Sequence, residues 1–151
     1  MAELKERLRA DLNAAMRARD QVRMRTLRLA LTSITNEEVA GASARDLTDD
    51  EVVRVLTREA RKRREAAEAF SAAGRSDQAA AERAEGDVLA GYLPAQLSDD
   101  ELAALVDAAI AETGAKSPSG LGQVMKTVTP RIAGRADGAR VAAEVRSRLS
   151  G

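Results

Sequence analysis

Residues 92–102 read YLPAQLSDDEL, and they interrupt a chain that otherwise repeats with helical spacing. Pro94 holds Leu93 in extended backbone and cannot continue a helix. Four residues on, Ser98 and Glu101 have the spacing of a capping box, in which each side chain bonds the other residue's backbone N–H. One helix therefore ends near Gly91 and another starts at Ser98. The stretch predicts an N-terminal helical domain over 1–91, a linker at 92–97 and a C-terminal three-helix domain over 98–151.

Upstream, Leu4, Leu8, Leu12 and Met16 recur every four residues and predict a helix over about 3–19 with one apolar stripe. Asp20 suits the cap of a second helix carrying Met24, Leu27, Leu31 and Ile34, with Gly41 as its stop. LTDDEV at 47–52 offers a capping box of Thr48 with Glu51. Its helix carries Val53, Leu56, Ala60, Ala67 and Phe70 and runs to Gly74, and a fourth starts at Ser76 or Asp77. LTDDEV and LSDDEL are near duplicates, but their flanks do not align, so they are read as one capping chemistry used twice.

Downstream, Leu102, Leu105, Val106, Ala109 and Ile110 mark a helix ending at Gly114. KSPSGLG is a loop feeding a helix with Leu121, Val124, Met125 and Val128, which Pro130 is expected to kink or end. The last helix uses Val141, Val145 and Leu149. With 44% apolar residues dominated by Ala and Leu, and only Phe70 and Tyr92 aromatic, the fold expected is all-α.

Lysine plus arginine number 24 and so do aspartate plus glutamate, so any attraction for nucleic acid or membrane must come from a local patch. Cysteine and histidine are absent, which removes disulfides, thiolate zinc sites and the commonest general base. No cofactor or metal is expected. MAELKERLRADL has no apolar signal region, and no run approaches the roughly 18 residues of a membrane span. A cytoplasmic protein without membrane contact is expected. The acid pairs Asp49–Asp50 and Asp99–Asp100 fall in first turns, where they complement the helix dipole. Neighbours on a helix point about 100° apart, so these pairs do not converge on a reacting atom, and no catalytic residue is assigned.

Three basic groups remain. Arg54, Arg58, Arg61 and Arg64, with Lys62 and Arg63 alongside, form a stripe that Glu51, Glu65 and Glu68 are spaced to neutralise. Arg17, Arg19, Arg23, Arg25 and Arg28 surround the first helix junction and carry the same reading. The last 35 residues hold Lys126, Arg131, Arg135, Arg140, Arg146 and Arg148 against only Asp137 and Glu144. There, local neutralisation fails by four charges. An anion-binding surface at Lys126, Arg131, Arg135 and Arg140 and simple solubility charge both remain open. Within TPRIAGRADGARVAAEV (129–145), Gly134 suits a left-handed helix end, Asp137 a cap and Gly138 a close helix approach. GRADG lacks the spacing and the following Lys-Ser/Thr of a phosphate loop, so it is read as a corner that displays arginines.

DQVRMRTLRLALTSITNEE (20–38), LTREARKRREAAEAF (56–70), YLPAQLSDDEL (92–102) and LGQVMKTVTPRIAGRADGARVAAEV (121–145) together resemble the GatB/YqeY family. Members are stand-alone relatives of the C-terminal tail domain of the GatB subunit of the tRNA-dependent amidotransferase. The resemblance covers essentially the whole chain and implies a larger N-terminal and a smaller C-terminal helical unit. It also implies tRNA contact by a tail whose parent enzyme performs chemistry in other domains. Gly134, Arg135, Asp137 and Gly138 match as motif members, not as catalytic groups. The family label of carbon–nitrogen ligase with glutamine as amido-N donor needs domains that this sequence lacks. The reading is therefore a non-catalytic accessory protein that binds tRNA or another structured RNA. The alternative is a helical interaction module of an amidotransferase or aminoacyl-tRNA synthetase, and an independent ligase ranks third. With so few aromatics, RNA contact would use phosphates and shape rather than base stacking.

Overall fold

The computed structural model describes residues 2–150, and every regular element among them is helical. They run α1 (Glu3–Ala18), α2 (Gln21–Glu38), α3 (Asp49–Ala72), α4 (Ser76–Ala90), α5 (Asp99–Thr113), α6 (Leu121–Ile132) and α7 (Gly138–Ser150), with a 3-10 turn at Pro118–Gly120. The chain divides into a unit spanning 1–93 and a unit spanning 94–151.

In the first unit, α1 and α2 form an antiparallel hairpin and α3 lies along α4. Leu8, Leu27, Ile34, Val52, Leu56 and Leu89 are buried at its centre. Both capping boxes form reciprocally, Thr48 with Glu51 and Ser98 with Glu101. Glu51 also accepts from Arg45 Nη1 at 2.9 Å. That bond and the Thr48 N–H together hold its carboxyl down at about 2.

The α1 stripe departs from expectation at its end. Met16 is 46% exposed and Ala15 is buried instead. A strict four-residue repeat drifts about 40° per step against the 3.6-residue turn, so by Met16 the stripe has rotated off the core. Near the start of α1, Lys5 is buried although it lies outside the expected stripe. It is 5% exposed, and its ammonium donates to both oxygens of Glu38 on α2 at 2.8 Å. This pair fixes the register of the hairpin. α2 ends at Glu38, short of the expected stop at Gly41, and Val39 caps it.

In the second unit, α5 packs on both α6 and α7. Leu102, Val106, Ala109, Val124, Val128, Ile132, Val141 and Val145 form its core. Pro130 does not end α6, which continues to Ile132. The missing N–H falls in the last turn, where buried Val124, Val128 and Ile132 hold the helix against its neighbours. Tyr92 is buried in the first unit's core and Leu97 in the second's.

Gly138 is not the close-approach glycine it was expected to be, because a Cβ built there meets nothing within 4 Å. Close approach occurs at Gly120, where a Cβ would lie 2.7 Å from the Ala115 Cβ. Gly120→Ala is expected to destabilise the second unit by about 1–3 kcal/mol through overpacking. Gly138→Ala, at the start of α7, should be neutral or stabilise by up to about 0.5 kcal/mol. Urea unfolding of the two variants checks the contrast, and equal effects would contradict it.

Candidate nucleic-acid interface

The bend between α6 and α7 is built from two successive left-handed residues. Ala133 has φ 51° and Gly134 φ 79°. Only the second is a glycine, so Ala133 carries the strain of a Cβ in that region. Arg135 N–H then donates to Ile132 O at 3.1 Å, and Ala136 turns into the core at 7% exposure. Asp137 Oδ1 accepts the Arg140 N–H at 2.9 Å, capping α7. Two carbonyls of the bend face the start of the unit. Arg135 O accepts the Leu97 N–H at 2.8 Å, and Gly134 O accepts from Gln96 Nε2 at 3.4 Å. The segment before α5 and the GRADG bend are thus one joint, although 38 residues separate Gln96 from Gly134.

The basic side chains around this joint do not converge. Lys126 is exposed on α6 and makes no hydrogen bond or ion pair with the described residues. Arg131 bonds Glu112 of α5. Arg135 folds back, its Nε donating to Ile132 O at 3.3 Å and its Nη2 to Arg131 O at 3.2 Å, where a cation suits the carbonyl end of α6. Arg140 Nη2 donates to Asp99 Oδ1 at 2.9 Å, and Arg148 reaches Asp107 at 3.2 Å and Glu144 at 2.9 Å. Asp99 and Glu112 lie about 20 Å apart along α5 and point about 140° apart around it. Arg131 and Arg140 are therefore anchored to different flanks of that helix. The four-charge excess of the last 35 residues disappears once α5 is counted, since residues 94–151 hold seven basic and seven acidic side chains.

A family model described as Yqey-like protein matches residues 5–149, both units included. The chain belongs to the YqeY-like protein family. No curated protein matches it significantly.

In this YqeY-like chain the first acid of each pair has structural work. Asp49 Oδ1 accepts the Leu4 N–H at 3.0 Å, tying α3 to α1, and Asp99 holds Arg140. Tyr92 donates its hydroxyl hydrogen to Asp11 Oδ2 at 2.6 Å and accepts from Arg23 Nη2 at 3.3 Å. The Arg7 guanidinium lies 4.6 Å from its ring centre. Burial, then the Asp11 hydrogen bond, push the phenol up to about 12, so it stays protonated at neutral pH.

Most of the helix-three group is paired, partly within α3 and partly with α2 and α4, but Arg54 makes no side-chain hydrogen bond or ion pair with the described residues. Arg61 pairs with Glu65 at 3.8 Å as its spacing predicts. Arg58 reaches Glu37 on α2 at 3.4 Å, and Arg63 turns inward to Glu85 at 3.2 Å and Glu59 at 3.7 Å. Glu51 serves Arg45 and Thr48 rather than Arg54. Among the described residues no group of three or more acidic side chains is placed to hold a metal ion, and no helix is long and apolar enough to cross a membrane. Lys5, Glu38, Gln96 and Glu85 carry much of the polar architecture through partners far along the chain, and no local spacing marks them.

Proposed function

We propose that this YqeY-like protein is a non-catalytic accessory protein that binds tRNA or another structured RNA through phosphates, with Lys126, Arg131, Arg135 and Arg140 among its contacts. One observation carries the reading: the ion pairs that occupy Arg131 and Arg140 are exposed and cheap to open. Asp99 is 99% exposed and Glu112 58%. Pairs of this kind contribute about 0–1 kcal/mol each, less than counterion release gains for a cation that moves onto a phosphate. Because Arg131 and Arg140 sit on different flanks of α5, they would follow a backbone instead of closing on one phosphate.

The combined charge reversal Lys126→Glu, Arg131→Glu and Arg135→Glu is expected to abolish a gel shift with tRNA at about 0.1 M salt. Wild-type affinity should fall with salt by roughly 0.7–0.9 log units per log unit for each phosphate neutralised. An unchanged shift sinks the assignment. Glutamine-dependent product made by the pure chain would overturn the non-catalytic part.

A second reading, a helical module of an amidotransferase or aminoacyl-tRNA synthetase complex, is favoured by the neutrality of residues 94–151 and by Met16, Leu29 and Val39, which expose apolar side chains. Co-purification that survives high salt and nuclease supports this second reading over the first.

A further inference from the structure

The α1–α2 hairpin sorts its arginines by direction. Arg7, Arg23 and Arg25 are engaged: Arg7 over the Tyr92 ring, Arg23 on the Tyr92 hydroxyl, Arg25 on Glu85 at 2.6 Å. Arg9, Arg17, Arg19 and Arg28 are exposed, and none makes a side-chain hydrogen bond or ion pair with the described residues. The Lys5–Glu38 pair places these four relative to one another. Stepping along both helices from that pair, Arg9 falls abreast of Ile34 and Met16 abreast of Leu27. On α1, Arg9, Asn13, Met16 and Arg17 occupy the outer edge beside α2. On α2, Arg28 lies on the edge beside α1. Arg19 stands at the corner between them.

Acids are missing from this face between Glu6 and Asp20. Asp11, the one acid within that span of α1, is turned to Tyr92. Asp20 is committed as the cap of α2, accepting the Arg23 N–H at 3.2 Å. Arg9 and Arg17 are about 12 Å apart along α1, a spread suited to successive charges of an extended polyanion and too wide for one small anion.

Arg19 adds a separate signal. It has φ 56°, in a reversal where Asp20 N–H bonds Ala15 O at 3.0 Å and Arg19 N–H bonds Met16 O at 3.2 Å. That is the Schellman arrangement, and its left-handed position favours glycine. An arginine there is strained, and its guanidinium makes no hydrogen bond or ion pair with the described residues that would offset the strain.

We propose that the outer face of the α1–α2 hairpin, with Arg9, Arg17, Arg19 and Arg28, is a second phosphate-binding surface, which engages the sugar–phosphate backbone of the same RNA. The inference rests on the RNA-binding reading above but concerns residues in the other unit. Met16 and Leu29 are the large apolar side chains exposed on α1 and α2, one to each helix, so the hairpin lacks the continuous apolar stripe that insertion into an anionic membrane requires.

The test uses the full chain with a tRNA probe, read by fluorescence anisotropy over a salt series. Arg9→Gln/Arg17→Gln/Arg28→Gln should lower the salt slope by about 2–3 and weaken binding at least tenfold at about 0.1 M salt. Arg19→Gly should act in opposite directions on two readouts, raising Tm while weakening RNA binding severalfold. A merely structural Arg19 would raise Tm and leave affinity alone. If wild type binds RNA, and both variants fold and keep its affinity and slope, this surface is wrong while the RNA reading stands. If wild type does not bind RNA, both fall.

Discussion

Lys5→Met is expected to destabilise the first unit by about 3–5 kcal/mol, because it leaves the Glu38 carboxylate buried with its cation removed. Lys5 is 5% exposed and Glu38 9%, and the ammonium bonds both carboxylate oxygens at 2.8 Å. A solvated surface pair of the same residue types would contribute about 1 kcal/mol or less, so burial decides the magnitude. Replacing both partners, Lys5→Met with Glu38→Leu, should recover most of the loss, since two apolar side chains of similar volume need no counter-charge. Urea denaturation of the two variants measures both quantities. A loss below 1 kcal/mol for Lys5→Met would mean that the pair is hydrated in solution. The variant also bears on the hairpin face. With the register of α1 on α2 loosened, Arg9 and Arg28 lose their fixed separation, so binding should weaken although no arginine has changed.

The contrast between that pair and the capping boxes shows what kind of information a sequence exposes. Thr48 with Glu51 and Ser98 with Glu101 are three residues apart, and their geometry follows from the helix start itself. The helices and their all-α packing were legible for the same reason, because apolar spacing of three and four residues is a property of one element. Lys5 and Glu38 are 33 residues apart, and Arg140 and Asp99 are 41 apart. Nothing in MAELKERLRADL distinguishes the buried Lys5 from Arg7 and Arg9 beside it, which are exposed. The C-terminal basic group illustrates the cost of a linear window. Counted along the last 35 residues it is an excess of four charges, but folding brings Asp99, Asp107 and Glu112 of α5 against Arg140, Arg148 and Arg131. The first-junction arginines went the opposite way. Some were expected to be neutralised locally, yet the fold engages Arg23 and Arg25 elsewhere and leaves Arg17, Arg19 and Arg28 facing water. The glycines carry the same lesson. Gly138 sits in a motif yet has open space around it, and Gly120, in a loop with no motif, is the one pressed against Ala115.

Leu102→Ala should have the most severe outcome for the second unit: loss of its fold with the first unit intact. Leu102 is 1% exposed and belongs to the cluster that joins α5 to α6 and α7. Truncating a buried leucine costs about 2–5 kcal/mol, from lost transfer energy and the cavity left behind. At about 0.05–0.15 kcal/mol per residue, a unit spanning 94–151 holds only about 3–9 kcal/mol in total. Nothing larger than leucine fills its core, since the chain's two aromatic residues, Phe70 and Tyr92, both lie in the first unit. The two cores share no residue, so the loss is expected to stay within the second unit. Limited proteolysis of the full-length variant should cut within 94–151 and spare 1–93, and urea unfolding should separate into two transitions. A single unfolding transition shifted as a whole would show instead that the units fold cooperatively. RNA binding by the same variant divides the two proposed surfaces. Loss of the second unit removes the fixed spacing of Lys126, Arg131, Arg135 and Arg140, while Arg9, Arg17, Arg19 and Arg28 keep theirs. The variant should therefore retain a weakened, salt-sensitive affinity. Complete loss would place all of the binding on the α5–α7 side.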